Sequence, residues 1–295
     1  MNILITGASG MLGKNIFSIF FAEYINTFNI DKELNPNIPQ ENQIIGDLMN
    51  EEFTASVLNK INPDLIIHCA AIVNLNLCES NKSLANNLHI STTKWLSVYK
   101  KGLTKIIYIS TDSVFDGEIG NYSETDNTNP VNHYAFSKLE GEKQVALNSN
   151  HIIIRTNIFG YSTPLKGSFV EWAISNFKNN ESITGFKDVS FNAIYTKQLA
   201  KIIHKLFEVD FKGLINVASS TVITKYDFLV YLAKSLEYSE SLVKEGLSSN
   251  INFAVKRPLN TTLNINKVKE IIEIPSIEQG INELAYNYLN EKAKL

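Results

Sequence analysis

Tyr134 and Lys138 stand four residues apart in a segment that reads Tyr-Ala-Phe-Ser-Lys. On a helix that spacing stacks two side chains on one face. An ordinary tyrosine, with a pKa of roughly 10, holds its proton too tightly for easy exchange near neutrality. A neighbouring ammonium favours the phenolate and lowers that value. The pair can then protonate a carbonyl oxygen as hydride reaches its carbon, or run the reverse. Upstream lies a hydroxyl-rich turn, Ser110-Thr111-Asp112-Ser113-Val114-Phe115-Asp116-Gly117. There Thr111 can hydrogen-bond the same carbonyl oxygen and share its developing charge. Spacing of the Tyr-x-x-x-Lys kind carries little information alone, so its weight depends on what surrounds it.

A glycine-rich turn near the N-terminus supplies that context: Thr6-Gly7-Ala8-Ser9-Gly10-Met11-Leu12-Gly13. It sits between a short apolar run and a segment with apolar residues at helical spacing. Gly7 permits a tight turn, Gly10 lets the backbone approach a pyrophosphate, and Gly13 allows a helix to pack closely on a strand. The amides from Ser9 through Met11 and Leu12 then open a helix whose N-terminus attracts phosphates. This predicts a dinucleotide site, NADP or NAD. The end of the second strand should separate the two, because an acid there binds the ribose hydroxyls and a base favours the extra phosphate. That region holds both Asp31 and Lys32, which argue in opposite directions.

Short apolar runs alternate with helical periodicity up to residue 155. Strands are predicted at 2–6, 24–30, 43–46, 64–69, 105–110 and 151–155, with helices at 11–23, 83–100 and 134–147. Such alternation gives βαβ units and an α/β, doubly wound parallel sheet of Rossmann type. Residues 1–155 are read as the dinucleotide-binding core. Residues 156–295 are read mainly as a smaller interwoven substrate-binding lobe, with some segments returning to the core. Phe169, Trp172 and Phe177 read as a core stripe, ahead of the alternative that they shape the substrate lobe, and 281–289 as an amphipathic helix.

A chain of 295 residues with 44% hydrophobic and 19% charged residues has ample material for a core. Its formal net charge of -3 offers no basic excess for a nucleic-acid partner. No run approaches the roughly 18 apolar residues of a membrane span, and glycines follow the first apolar run too soon for a secretory leader. Cys69 and Cys78 lack metal or redox spacing and read as reduced thiols, which points to a cytoplasmic location. The five histidines show no ligand spacing, and no metal is expected.

The G-x-x-G-x-x-G spacing is similar to that of the extended short-chain dehydrogenases. That resemblance implies that Asp47 and Leu48 lie beside the adenine, and that Cys69, Ala70 and Ala71 leave room for the dinucleotide. Ser-Thr-Asp-x-Val-Phe-Asp-Gly followed by Tyr-x-x-x-Lys resembles the dTDP-4-dehydrorhamnose reductase family more narrowly. Ala70-Ala71 to Glu79, Arg155-Thr156 and Lys256-Arg257-Pro258-Leu259-Asn260-Thr261-Thr262-Leu263 also resemble that family's segments.

The likeness implies reduction of a 4-keto group on a nucleotide-activated 6-deoxysugar, with Thr111, Tyr134 and Lys138 catalytic. It also implies Thr111, Asp112, Ser113, Asn157 and Arg257 on the substrate side. Arg257 could grip a diphosphate through its planar fork or sit in a surface ion pair. Ser113 replaces a usual tyrosine, Asn157-Ile158-Phe159-Gly160 lacks a usual aromatic, and Leu75-Asn76 replaces Val-Asp. The related dehydratases place glutamate at the position of Ser113, which favours reductase over dehydratase, and Asp112 argues more weakly against an epimerase. The regulatory beta subunit of methionine adenosyltransferase resembles the same family, so a non-catalytic binding role is the alternative reading. A homodimer is left open.

Overall fold

The computed structural model describes residues 1–162 and 167–292. Six strands follow the apolar runs in order: β1 (Ile3–Thr6), β2 (Thr27–Asp31), β3 (Gln43–Ile45), β4 (Leu65–His68), β5 (Lys105–Ile109) and β6 (His151–Arg155). Beyond them come β7 (Ile158–Phe159), β8 (Ile183–Phe186), β9 (Ser190–Phe191), β10 (Ile194–Tyr195), β11 (Gly213–Asn216), β12 (Ile223–Thr224) and β13 (Val243–Gly246). The first helices are α1 (Gly13–Glu23), α2 (Glu51–Ile61), α3 (Leu75–Ser80), α4 (Lys82–Asn86), α5 (Thr93–Ser97) and α6 (His133–Ala146). The remainder are α7 (Phe169–Lys178), α8 (Thr196–Glu208), α9 (Lys225–Ser235), α10 (Asn266–Lys269) and α11 (Ile277–Lys292).

Seven strands form one parallel sheet in the order β11-β6-β5-β4-β1-β2-β3. Its central strands are buried on both faces, so Ile3, Leu4, Ile5 and Leu65, Ile66, Ile67 run without alternation. One face packs against α1 and α8, through Ile16, Phe20, Leu199 and Ile203. The other packs against α2, α5 and α6, through Val57, Leu58, Leu96 and Val145. A separate apolar cluster joins α7, α9 and α11 through Ile174, Phe177, Phe228, Leu232, Ile281 and Leu284. No helix among the described residues is long and apolar enough to cross a membrane.

Several boundaries differ from the sequence expectation. The second strand starts at Thr27, because Tyr24 still closes α1 through its amide to the Phe20 carbonyl and packs on the Phe20 and Phe207 rings. The continuous helix expected over 83–100 is broken by a π-helical stretch, Asn87–Thr92. The Thr92 hydroxyl donates to the Asn87 carbonyl, five residues back, and to the Leu48 carbonyl. Such widened turns turn side chains off the regular helical face; here His89 points into the core. Helix α2 escaped the apolar-periodicity reading, although its ends are well marked. Asn50 accepts from the Phe53 amide at one end, and Asn62 adopts a left-handed conformation at the other.

Candidate active site

Between β1 and β4 the order in which strands are added switches from one side of the sheet to the other, and a crevice at such a point is the usual ligand position. The glycine turn lies there. Gly7 has φ +73°, and a Cβ on it would come 3.0 Å from the Ala70 backbone at the end of β4. A Cβ on Gly13 would lie 2.2 Å from the Gly7 carbonyl oxygen. The Ala8 amide donates to Asn29 at 3.1 Å, and the Ser9 amide to Asp31 at 3.0 Å. Among the described residues the Met11, Leu12 and Gly13 amides have no acceptor, and α1 carries no acid in its first turn. The Ser9 hydroxyl and the Asn29 side-chain amide are buried without partners among the described residues. Free amides, orphaned polar atoms and the absence of Cβ atoms fit the pyrophosphate of a dinucleotide.

Around this cradle, Cys69, Ala70 and Ala71 are half-buried just past β4, with the Ala70 amide donating to Thr6 at 3.2 Å. Leu48 is buried just past β3, and Asp47 pairs with Lys32 at 3.0 Å. The structure thus separates the two residues that argued in opposite directions. Asp31 points its carboxylate at the turn, while Lys32 is exposed and engaged elsewhere.

Tyr134 and Lys138 occupy the first two turns of α6, started by Asn132, which accepts from the Ala135 amide. The nearby Thr111 hydroxyl favours the Tyr134 phenolate. Burial outweighs that and, with the Asp112 and Cys78 charges, pushes the Tyr134 phenol up to about 12. Lys138 is buried; its ammonium donates to the Ile109 carbonyl at 2.7 Å and lies 4.1 Å from the Tyr108 ring centroid. Burial brings it down to about 7, against Glu142 and Cys69, which favour its charge. The sequence reading expected the ammonium to set the phenol; here burial sets it, because the ammonium is drawn to the end of β5.

His89 was read as an ordinary core or surface histidine, and it supports Tyr134 directly. Its ring meets the tyrosine edge-on at 5.9 Å. The Ile72 amide donates to its Nε2 at 2.9 Å, so Nδ1 carries the proton and donates to Ser137 at 2.8 Å. Ser137 in turn donates to the Tyr134 carbonyl.

Asp112 is the hub on the opposite side. Its carboxylate accepts from Asn157 at 2.7 Å, Thr111 at 3.1 Å, Ser113 at 3.3 Å, and also from Thr261. Burial raises its pKa, opposed by those donors and by the nearby Lys225 charge. Thr111 also accepts from the Ser113 amide at 3.2 Å, which fixes its rotamer. The structure therefore brings Thr111, Asp112, Ser113, Asn157, Tyr134 and Lys138 together. Arg257 is exposed, its guanidinium 4.5 Å from the Phe253 ring centroid, and pairs with no carboxylate among the described residues. A groove of about 450 Å³ runs beside the first turn of α6, lined by Glu79, Lys82, His133, Phe136 and Lys256 among others.

Sequence reasoning missed Thr261 and Lys225 as site residues. Thr261 lay inside a segment already singled out. Lys225 opens α9 behind Thr224, whose hydroxyl accepts from the Asp227 amide, so Thr-x-x-Asp was the available signal.

The family described as RmlD substrate binding domain matches residues 1–290. The methionine adenosyltransferase 2 subunit beta of Mus musculus is 27% identical, over 98% of this chain and 89% of its own length. A dTDP-4-dehydrorhamnose reductase from Bacillus anthracis, solved in complex with NADP, is 26% identical with a TM-score of 0.82, covering 97% of this chain and 100% of that one. The Clostridium acetobutylicum dTDP-4-dehydrorhamnose reductase is also 26% identical, with a TM-score of 0.84, covering 98% and 100%.

Proposed function

We propose, from the premise that this chain belongs to the RmlD substrate binding domain family, that it is an NAD(P)H-dependent reductase of a 4-keto group on a nucleotide-activated 6-deoxysugar. The observation that carries this reading is that Tyr134 and Lys138, in the first two turns of α6, meet the carboxyl end of β5, where the Lys138 ammonium donates to the Ile109 carbonyl at 2.7 Å and Thr111 follows. When bound, the reduced nicotinamide supplies hydride to the carbonyl carbon. Tyr134, protonated at working pH, gives its proton to the carbonyl oxygen. Thr111 then stabilises the phenolate left behind and orients the oxygen. Lys138, already at the end of β5, is positioned for the nicotinamide ribose. Ser113 offers no carboxylate of the kind a dehydratase uses. The lobe beyond residue 155 shapes the sugar side through Asn157 and Arg257. Free thiols at Cys69 and Cys78 support a reducing, cytoplasmic setting.

Turnover is the test. The purified protein should oxidise NADH or NADPH when supplied with 4-keto-6-deoxy nucleotide sugars. No cofactor oxidation with any such sugar would defeat the substrate assignment. One observation favours a second reading, a non-catalytic dinucleotide-binding subunit: the likeness to the methionine adenosyltransferase beta subunit spans nearly the whole chain. Co-purification with a larger partner and dead catalysis would support it.

Asp31 favours NAD(H) over NADP(H), since a carboxylate at the end of β2 binds a ribose diol and repels a 2′-phosphate. Asp31→Ala should improve NADPH binding relative to NADH by about tenfold, equivalent to roughly 1.4 kcal/mol. Fluorescence titration of both cofactors checks this, and an unchanged ratio would remove Asp31 from the selectivity.

A further inference from the structure

Glu142 is a buried carboxylate that the proposed proton transfer does not use. It stands one turn beyond Lys138 and two beyond Tyr134, so the three share one face of α6. Arg155, at the end of β6, grips it with its fork: Nε donates to Oε1 at 3.0 Å and Nη2 to Oε2 at 2.8 Å. The Ser110 hydroxyl donates to the same Oε1. Glu142, Arg155 and Ser110 are each only 5% exposed. An ion pair this deep is expensive to desolvate and often adds no stability over apolar side chains of similar size. Its position supplies another reason for it.

Lys138 donates to the Ile109 carbonyl at 2.7 Å and Glu142 accepts from Ser110, so consecutive residues at the end of β5 are tied to consecutive turns of α6. Thr111 comes next. Beyond it the Asp112 amide donates to the Thr156 carbonyl at 3.0 Å, beside Arg155. The other titratable groups around the Lys138 ammonium are Tyr108 beneath it, Tyr134 on its own helix, His68 and Cys69 from the end of β4, and His89 from the π-helical stretch. Near neutrality, burial keeps Tyr108, Tyr134 and Cys69 protonated and both histidines uncharged. Glu142 is the carboxylate of this group, and its charge favours the ammonium against the burial that opposes it.

We propose that Glu142 is a positioning residue for the proton transfer: clamped by Arg155 and Ser110, its carboxylate answers the Lys138 ammonium and fixes the end of β5, with Thr111, against Tyr134. The inference rests on the reductase reading above and deepens it. A charged Lys138 would donate to the ribose of the reduced cofactor, and it sits one turn from the phenolate left on Tyr134. That charge is present below the pKa of Lys138 and lost above it, so activity should carry an alkaline limb. Removing the carboxylate takes away what favours the charge, which moves the limb to lower pH.

The test follows kcat/KM, the NADH dissociation constant and the Tm across the neutral and alkaline range, for the wild type, Glu142→Gln, Glu142→Asp and the double variant Glu142→Gln/Arg155→Met. In Glu142→Gln the limb of kcat/KM should move down by about one pH unit, a loss of about tenfold at roughly pH 8 and about twofold at roughly pH 6. NADH binding should begin to weaken at the same lower pH. Glu142→Asp keeps the charge and should restore most of the limb. The double variant leaves no unanswered buried ion, so it should fold even where Glu142→Gln does not. Glu142, not Arg155, is the group whose charge acts on Lys138, so its limb should move as in the single variant. A lower Tm with the limb unmoved would mark Glu142 as structural and overturn the inference, leaving the reductase reading standing. A limb displaced equally in Glu142→Asp would overturn it too, since the charge would not be the cause. If the wild type turns over no 4-keto sugar, the reductase reading falls, and the pH dependence of NADH binding alone decides whether Glu142 acts on Lys138.

Discussion

Turnover by Tyr134→Phe is expected to fall about 10²–10⁴-fold, the usual contribution of a positioned general acid. Cofactor and substrate affinity should stay within a few-fold of wild type. The variant loses one hydroxyl and keeps its ring against His89 and its place in the second position of α6. Because burial holds the phenol near 12, the wild-type residue carries its proton throughout the working range. The lost interaction is then one made in the transition state, so kcat and kcat/KM should drop together. Steady-state kinetics with dissociation constants measured in parallel decide the matter. A variant within threefold of wild-type turnover would mean that the proton comes from elsewhere. Thr111→Val should show a smaller loss in the same direction, since the phenolate would still form but without a hydroxyl that favours it.

Acidification should destabilise the fold steeply, on the order of 5 kcal/mol between pH 6.5 and 4.5. Burial depresses His68 to about 3 and His89 to about 2, and the Lys138 charge pushes both the same way. In the unfolded chain each histidine takes a proton near 6.5, whereas the native state refuses it until far lower pH. The unfolded state therefore binds more protons across this window, and native stability falls as the pH drops. The hydrogen bonds make the refusal concrete. His89 Nε2 accepts from the Ile72 amide, so a proton there would displace it. His68 bridges Thr6 and Thr93, and Thr6 also holds the Ala70 amide. Asp112, raised by burial, acts with the opposite sign and trims the effect. Urea unfolding at several pH values measures the slope. His89→Gln should reduce it by about 1.4 kcal/mol per pH unit, and a wild-type stability that is flat from pH 6.5 to 4.5 would refute the account.

The parallel sheet was readable because its inner strands are buried on both faces and so appear as unbroken apolar runs, as in Ile3, Leu4 and Ile5. The glycine turn was readable because steric limits at Gly7 and Gly13 leave few alternatives. What periodicity could not show was any feature set by distant contacts. The π-helical stretch depends on Thr92 reaching Leu48, and the inward turn of His89 depends on it. Phe169 read as core, yet it faces the Lys225 ammonium, a pairing formed only when α7 and α9 meet. The relation of Tyr134 to Lys138 was legible as proximity along a helix. The electrostatic balance was not, because it depends on how deeply both are buried and on the Ile109 carbonyl.

The last strand of the central sheet, β11, is supplied by residues 213–216, after the chain has left the sheet at β6 to form β7 to β10 and α7 and α8. Until that segment has been synthesised, β6 is an open edge of Ile-rich backbone, ready to pair with any extended chain. Helix α8, which covers the face shared with α1, arrives at nearly the same moment. Ribosome-bound chains ending at Arg155 should therefore be vulnerable to proteases and to self-association. Release of the segment ending at Asn216 should remove both liabilities together, so the central sheet matures only after sixty or so residues beyond Arg155 have emerged.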